Sequence, residues 1–208
     1  MTETIGATPA RRFFALAVIA APVVFLLGDV AYISDGNGIN NGVLGGTIGV
    51  WSSFLLGWAF IAISRALEPV ASRGAVVLLV LGIPAICAGV AFNVNGLHWD
   101  HFGNDFVDAA FSDGGPTVGA LAFLPWGWFM PASLVVAGVL VWRTRMFPRW
   151  AGAMTALSGV LFVTARPASI DALAITADVV MVVGLAPIGL AMLTGAVRRA
   201  PDRNAALV

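Results

Sequence analysis

Two carboxylates lie inside long apolar runs, where an ionised side chain is expensive and is retained for a reason: Asp29 and Asp178. Tyr32 follows Asp29 by three residues and shares its helical face, and Arg166 closes another apolar run. Asn93, Asn95, His98 and Trp126 fall near the same end of their own runs. One level across a helical bundle would therefore collect two acids, a guanidinium, amides, a phenol and an indole. A buried carboxyl group can donate a proton, relay one or bind a substrate. Asp29 and Asp178 are the candidate acids, with Arg166 and Tyr32 as their partners in chemistry. An Asp29–Arg166 or Asp178–Arg166 ion pair that only locks helices together explains the same residues equally well. Trp51, Trp58, Trp126 and Trp128, with Asn93 and Asn95, are candidate substrate-binding residues. Aromatic walls of this kind stabilise a cationic intermediate through cation–π contact.

The segment His98-Trp99-Asp100-His101, followed by Asn104, Asp105 and Asp108, carries ordinary ligands for a divalent metal. His98, Asp100 and His101 are the weak candidates there. No second histidine cluster completes a site, so a solvated acidic loop is the preferred reading and neither a metal nor a cofactor is expected. Both histidines lie in that one segment, which argues against bis-histidine haem between two helices. The chain has no Walker loop, GxSxG, HExxH or CxxC pattern. It contains no lysine, which excludes Schiff-base chemistry including retinal binding, and its single Cys87 excludes an internal disulfide.

The elements that position these residues follow from composition. Of 208 residues, 59% are hydrophobic and 11% charged, where a soluble domain carries roughly 25% charge. That rules out a soluble enzyme, a disordered chain and a nucleic-acid binder, and indicates an integral membrane protein whose first partner is the bilayer. The apolar runs are continuous and about twice the length of a barrel strand, so the expected fold is all-α: a polytopic membrane protein with a bundle of six transmembrane helices. The spans are expected at about 13–34, 43–64, 74–97, 117–142, 150–165 and 172–197, within a single domain over 11–199. Residues 1–10 and 200–208 read as disordered cytoplasmic tails, 35–42 as a turn-rich loop, and 98–116 as the one long loop.

Arginine sets the expected topology. With the N-terminus inside, ten of the eleven cationic residues fall on the cytoplasmic side and only Arg166 outside, which predicts an N-in, C-in arrangement in the plasma membrane. Asp35, Asp100, Asp105, Asp108, Asp113 and Asp171 collect on the outer side. Gly45, Gly49, Ser53 and Gly57 recur every fourth residue, a small-residue face on which a neighbouring helix, in this chain or in a partner chain, can pack closely. Ala85, Gly89 and Asn93 repeat that spacing and put an amide on a packing face. Trp58 is too deep in its span for an interface anchor and is expected to pack in the bundle. Pro131 would leave the Gly127 carbonyl without its usual donor, so a kink is expected there.

The junction Arg145-Met146-Phe147-Pro148-Arg149-Trp150-Ala151-Gly152, leading into an Ala/Gly/Leu-rich helix, resembles one found in uncharacterised bacterial six-helix membrane proteins. The resemblance covers about the last 90 residues and implies a fold without an activity. The all-arginine, Ala/Val/Gly-rich usage resembles that of a high-GC bacterium. Three function classes stay open. One is a membrane enzyme acting by acid catalysis on an apolar, lipid-like or isoprenoid substrate in an outward-facing pocket, in the general manner of membrane terpene cyclases. The second is a small proton- or cation-coupled transporter or channel. The third is a non-catalytic accessory subunit. The aromatics favour the enzyme; the lack of matching polar groups in the inner half weighs against the transporter.

Overall fold

The computed structural model describes residues 8–35, 38–39, 42–112, 128–166 and 168–197, with backbone alone for Asn95 and for 98–112. Among them it is all-α, with no strand. The helices are α1 (Pro9–Ser34), α2 (Val43–Ser112), α3 (Phe129–Thr144), α4 (Arg149–Ala165) and α5 (Asp171–Thr194). By length and composition α1, α5 and the 43–94 part of α2 are apolar enough to cross a bilayer, and α3 is a shorter apolar helix.

The second and third expected spans belong to one element. The backbone of α2 stays helical through 65–73, yet the chain doubles back near Pro69. Ser64 Oγ donates to the Ala75 carbonyl at 2.9 Å, a pair that a straight helix would hold about 16 Å apart. Further along, Asn93 Nδ2 donates to Ser53 Oγ at 3.4 Å, and Gly82 packs on Phe60. The two limbs of α2 are thus antiparallel partners. A proline, which cannot donate to the preceding turn, sits where the direction reverses.

Three expected boundaries move. Helix α1 begins at Pro9, inside the expected tail: Thr8 caps it by accepting from Arg11 N at 3.3 Å, and proline at the first helical position forfeits no hydrogen bond. The expected 98–116 loop is helical as far as Ser112. Gly103 alone does not break the helix, and the run of breakers begins only at Gly114. Pro131 falls in the first turn of α3, where its missing N–H costs nothing among the described residues; Gly127 and the rest of 113–127 lie outside them. The other end of α3 turns sharply into α4, with Arg145 in the left-handed region at φ 58°.

The helices close a ring: α1 packs on α2, α2 on α3, α3 on α4, α4 on α5, and α5 back on α1. Its centre is aliphatic, with Val18, Ile63, Leu78, Leu134, Leu185 and Ile188 fully buried. The tightest backbone approach joins α3 to α4, where Gly138 abuts Gly152 and Ala156, and Gly184 of α5 meets Thr155 in the same way. Outward-facing Leu16, Val80, Val160 and Leu190 are each more than half exposed, a surface that suits hydrocarbon and not water.

The two ends of the ring differ in charge. Arg11 Nε donates to the Met192 carbonyl at 3.0 Å, which joins the start of α1 to the end of α5. Arg65 lies over Phe14, and Gly74 packs on Leu140, which brings the α2 bend and the α3–α4 turn to that same end. Arg11, Arg12, Arg65, Arg73, Arg143, Arg145 and Arg149 therefore share one end. Arg166 lies at the other, with Asp35 and Asp171, whose Oδ1 accepts from Ile39 N at 3.3 Å.

Candidate functional site

The ionisable residues singled out by their depth converge. Asp29 from α1 is 2% exposed, and its Oδ2 accepts a salt-bridging hydrogen bond from the Arg166 guanidinium at the end of α4. Asp178 from α5 is 0% exposed and lies within electrostatic reach of both Asp29 and Arg166. Neither of its oxygens meets a hydrogen-bond donor among the described residues, and the side chain lies in hydrogen-bonding reach of the Asp29 carboxyl group. Tyr32, one turn beyond Asp29, is buried and faces the same two charges. The Asp29–Arg166 ion pair therefore forms, while Asp178 stands beside it in reach of the Asp29 carboxyl group.

Two phenylalanines hold the guanidinium in place. Arg166 lies 4.9 Å from the Phe25 ring centroid and 5.0 Å from that of Phe162. Each ring sits four residues before a charged group, Phe25 before Asp29 and Phe162 before Arg166, so each shares a helix face with it. The rings thus flank the guanidinium that Asp29 holds.

A second arm runs from Tyr32 into α2. Its hydroxyl donates to Asn93 Oδ1 at 2.9 Å, and Asn93 Nδ2 donates to the Gly89 carbonyl at 2.7 Å and to Ser53 Oγ. Ser53 Oγ in turn donates to the Gly49 carbonyl at 2.9 Å. The glycines make this possible. A Cβ at Gly45 would overlap the Tyr32 ring, and one at Gly49 would overlap the Asn93 amide. The stripe is thus consumed within the chain, against α1 and the second limb of α2, and not on a surface offered to a partner chain.

Between these arms lies a cavity of about 290 Å³. Its walls are largely apolar: Phe25 from α1, Leu56 and Phe60 from the first limb of α2, Ile86 and Phe92 from the second, and Phe162 from α4. Trp128 and Met130 border it from the start of α3. Its polar wall groups are Arg166, Asn93 and Ser53. Asp29 and Asp178 do not line it; the cavity meets the carboxylates through Arg166.

The other expected residues fall elsewhere. Trp51 is 64% exposed and stacks near Phe54, while Trp58 is 43% exposed and meets Phe13 edge-on. Neither borders the cavity, and Trp58 does not pack in the bundle interior as its depth suggested. The physical reason is phase: both lie about 200° or less around the helix from the Gly49 face, on its opposite side. Trp126 and the side chains of Asn95, His98, Asp100 and His101 lie outside the described residues. Among the described residues no group of three or more His, Cys, Asp or Glu is placed to hold a metal ion. The cavity walls Phe25, Phe60 and Phe162 were not anticipated; the four-residue spacing of Phe25 and Phe162 to a buried charge was the available signal.

No protein-family model, no curated protein and no solved structure matches the chain. The resemblance at the Arg145–Gly152 junction gains no support from them.

Proposed function

We propose that this chain is a six-span integral membrane protein of a bacterial plasma membrane, with both ends cytoplasmic, whose cavity binds an apolar, lipid-like or isoprenoid molecule for acid-assisted chemistry. The two limbs of α2 supply spans two and three, and the arginine-rich end is the cytoplasmic one under the positive-inside rule. One observation carries the reading: an aromatic cavity of about 290 Å³ ends on a guanidinium that is held by one buried carboxylate and overlooked by a second. That volume is near the lower limit of ligand pockets, roughly 300–1,000 Å³, and suits one hydrocarbon chain or a small polycycle better than a whole phospholipid. Asp29 or Asp178 supplies the acid, and Arg166 is the group that must yield for either to meet a substrate. Phe25, Phe60 and Phe162, with Trp128, take the wall role that the sequence offered to Trp51, Trp58, Trp126 and Trp128.

A proton- or cation-coupled transporter is the second reading. Asp178, buried with no donor among the described residues, favours it; the aliphatic lining below the cavity, where Ile63, Leu67 and Leu78 are fully buried, counts against a polar path to the other face.

Native mass spectrometry of the protein released from its own membranes tests the binding claim. The account expects a co-purifying apolar molecule on the wild type and its loss in Ala85→Trp, which puts an indole into the cavity. Equal retention by both proteins would refute it.

A further inference from the structure

The buried acids bring more charge than the described residues balance. Asp29 and Asp178 present two carboxylates to one guanidinium, and both are essentially inaccessible, at 2% and 0% exposed. Asp29 is satisfied by Arg166, whereas both oxygens of Asp178 meet no donor among the described residues; the side chain is in hydrogen-bonding reach only of Asp29, another carboxyl group, and the two can be joined only through a shared cation. The charged groups facing Asp178 are Asp29 from α1 and Arg166 from α4, and Tyr32 faces those same two groups. On α5 the next acid is Asp171, two turns away toward the acidic end. The adjoining residues of α2 are the neutral Asn93 and Ser53, whose hydrogen bonds go to Tyr32, Gly89 and Gly49. The other described arginines stand at the opposite end of the ring, and the chain has no lysine. An uncompensated carboxylate in so apolar a setting is among the most costly states a buried group can adopt.

From this geometry we infer that Asp178, with Asp29 beside it, is the anchor of a binding site for one small monovalent cation, a proton or a sodium ion. Among the described residues the surplus is one negative charge, which one positive charge cancels. A divalent ion would overshoot next to Arg166. The site is separate from the apolar cavity, which neither carboxylate lines, so the inference stands whether or not the cavity takes a lipid. It adds an ion to the polar machinery of either reading: a reloadable acid for an enzyme, or a coupling ion for a transporter.

The test is thermal unfolding of the full-length protein in detergent, followed by tryptophan fluorescence. Sodium is titrated against choline at constant ionic strength, and pH is varied separately. A ligand that binds only the folded state raises the midpoint as its concentration rises, by roughly 3–5 °C per tenfold once above its dissociation constant. Wild type is expected to respond in one of the two titrations, and Asp178→Asn, already neutral, to lose that response. A response to sodium assigns the site to sodium; a response to pH alone assigns it to a proton. A wild type indifferent to both, or an Asp178→Asn variant that responds as wild type does, overturns the inference. Should Asp178→Asn not fold, infrared spectroscopy of the wild type decides the matter. A protonated carboxyl band that survives in alkaline buffer, or a carboxylate band that shifts with sodium, supports the site. The absence of both overturns it.

Discussion

Gly49→Ala adds one methyl group at the point where the two limbs of α2 meet α1. The new Cβ would occupy the space of the Asn93 amide, so the amide must leave. Three hydrogen bonds go with it: Tyr32 OH to Oδ1, and Nδ2 to the Gly89 carbonyl and to Ser53 Oγ. Side-chain hydrogen bonds between membrane helices average about 0.6 kcal/mol each, so their loss costs about 2 kcal/mol. Forcing a methyl group into a packed contact adds about 1–3 kcal/mol. The expected destabilisation is therefore about 3–5 kcal/mol, large for a single methyl group. Reversible unfolding of the purified protein in mixed micelles measures it. Gly28→Ala is the matched control, because a Cβ there meets its nearest atoms at an ordinary 3.5 Å and should be neutral or stabilising by up to about 1 kcal/mol through helix propensity. If Gly49→Ala and Gly28→Ala unfold alike, the amide does not occupy that notch and the account of the stripe is wrong.

Two further outcomes follow from the ion pair and the charge segregation. Arg166→Gln leaves Asp29 buried without its cation, at a cost of about 3–5 kcal/mol, and adding Asp29→Asn should recover part of that stability in the same unfolding assay; a double variant no more stable than Arg166→Gln alone would count against the pair. Reporter fusions at Gly38 and Asp108 should report the periplasm and fusions at Arg73, Phe147 and Val208 the cytoplasm; a cytoplasmic signal at Gly38 would reverse the assigned orientation.

The convergence of Asp29, Arg166 and Asp178 was legible because charge inside an apolar run is rare and depth can be counted along a helix. Which charges touch was not legible, since pairing depends on how α1, α4 and α5 are arranged around the ring. The placement of Trp51 and Trp58 was closer to hand than it appeared. Once Gly49 is assigned to a packing face, helical phase alone turns both indoles toward the outside. The continuity of α2 was hidden for a different reason. Residues 65–73 carry the charges of an ordinary connection, and only contacts such as Ser64 with Ala75 distinguish a bend within a helical backbone from a loop. The cavity was beyond sequence because its walls come from four helices, and no spacing along the chain relates Phe60 to Phe162.

Photo-crosslinking with a diazirine-bearing isoprenoid or alkyl probe in native membranes tests the central claim most directly, since it reports which side chains touch a bound hydrocarbon. The account predicts adducts on cavity residues such as Phe25, Phe60 and Phe162, competed away by unlabelled compound and absent in Ala85→Trp. Adducts confined to the outward-facing Leu16, Val80, Trp51 and Leu190, and insensitive to competitor, would show lipid contact at the surface only and would contradict it.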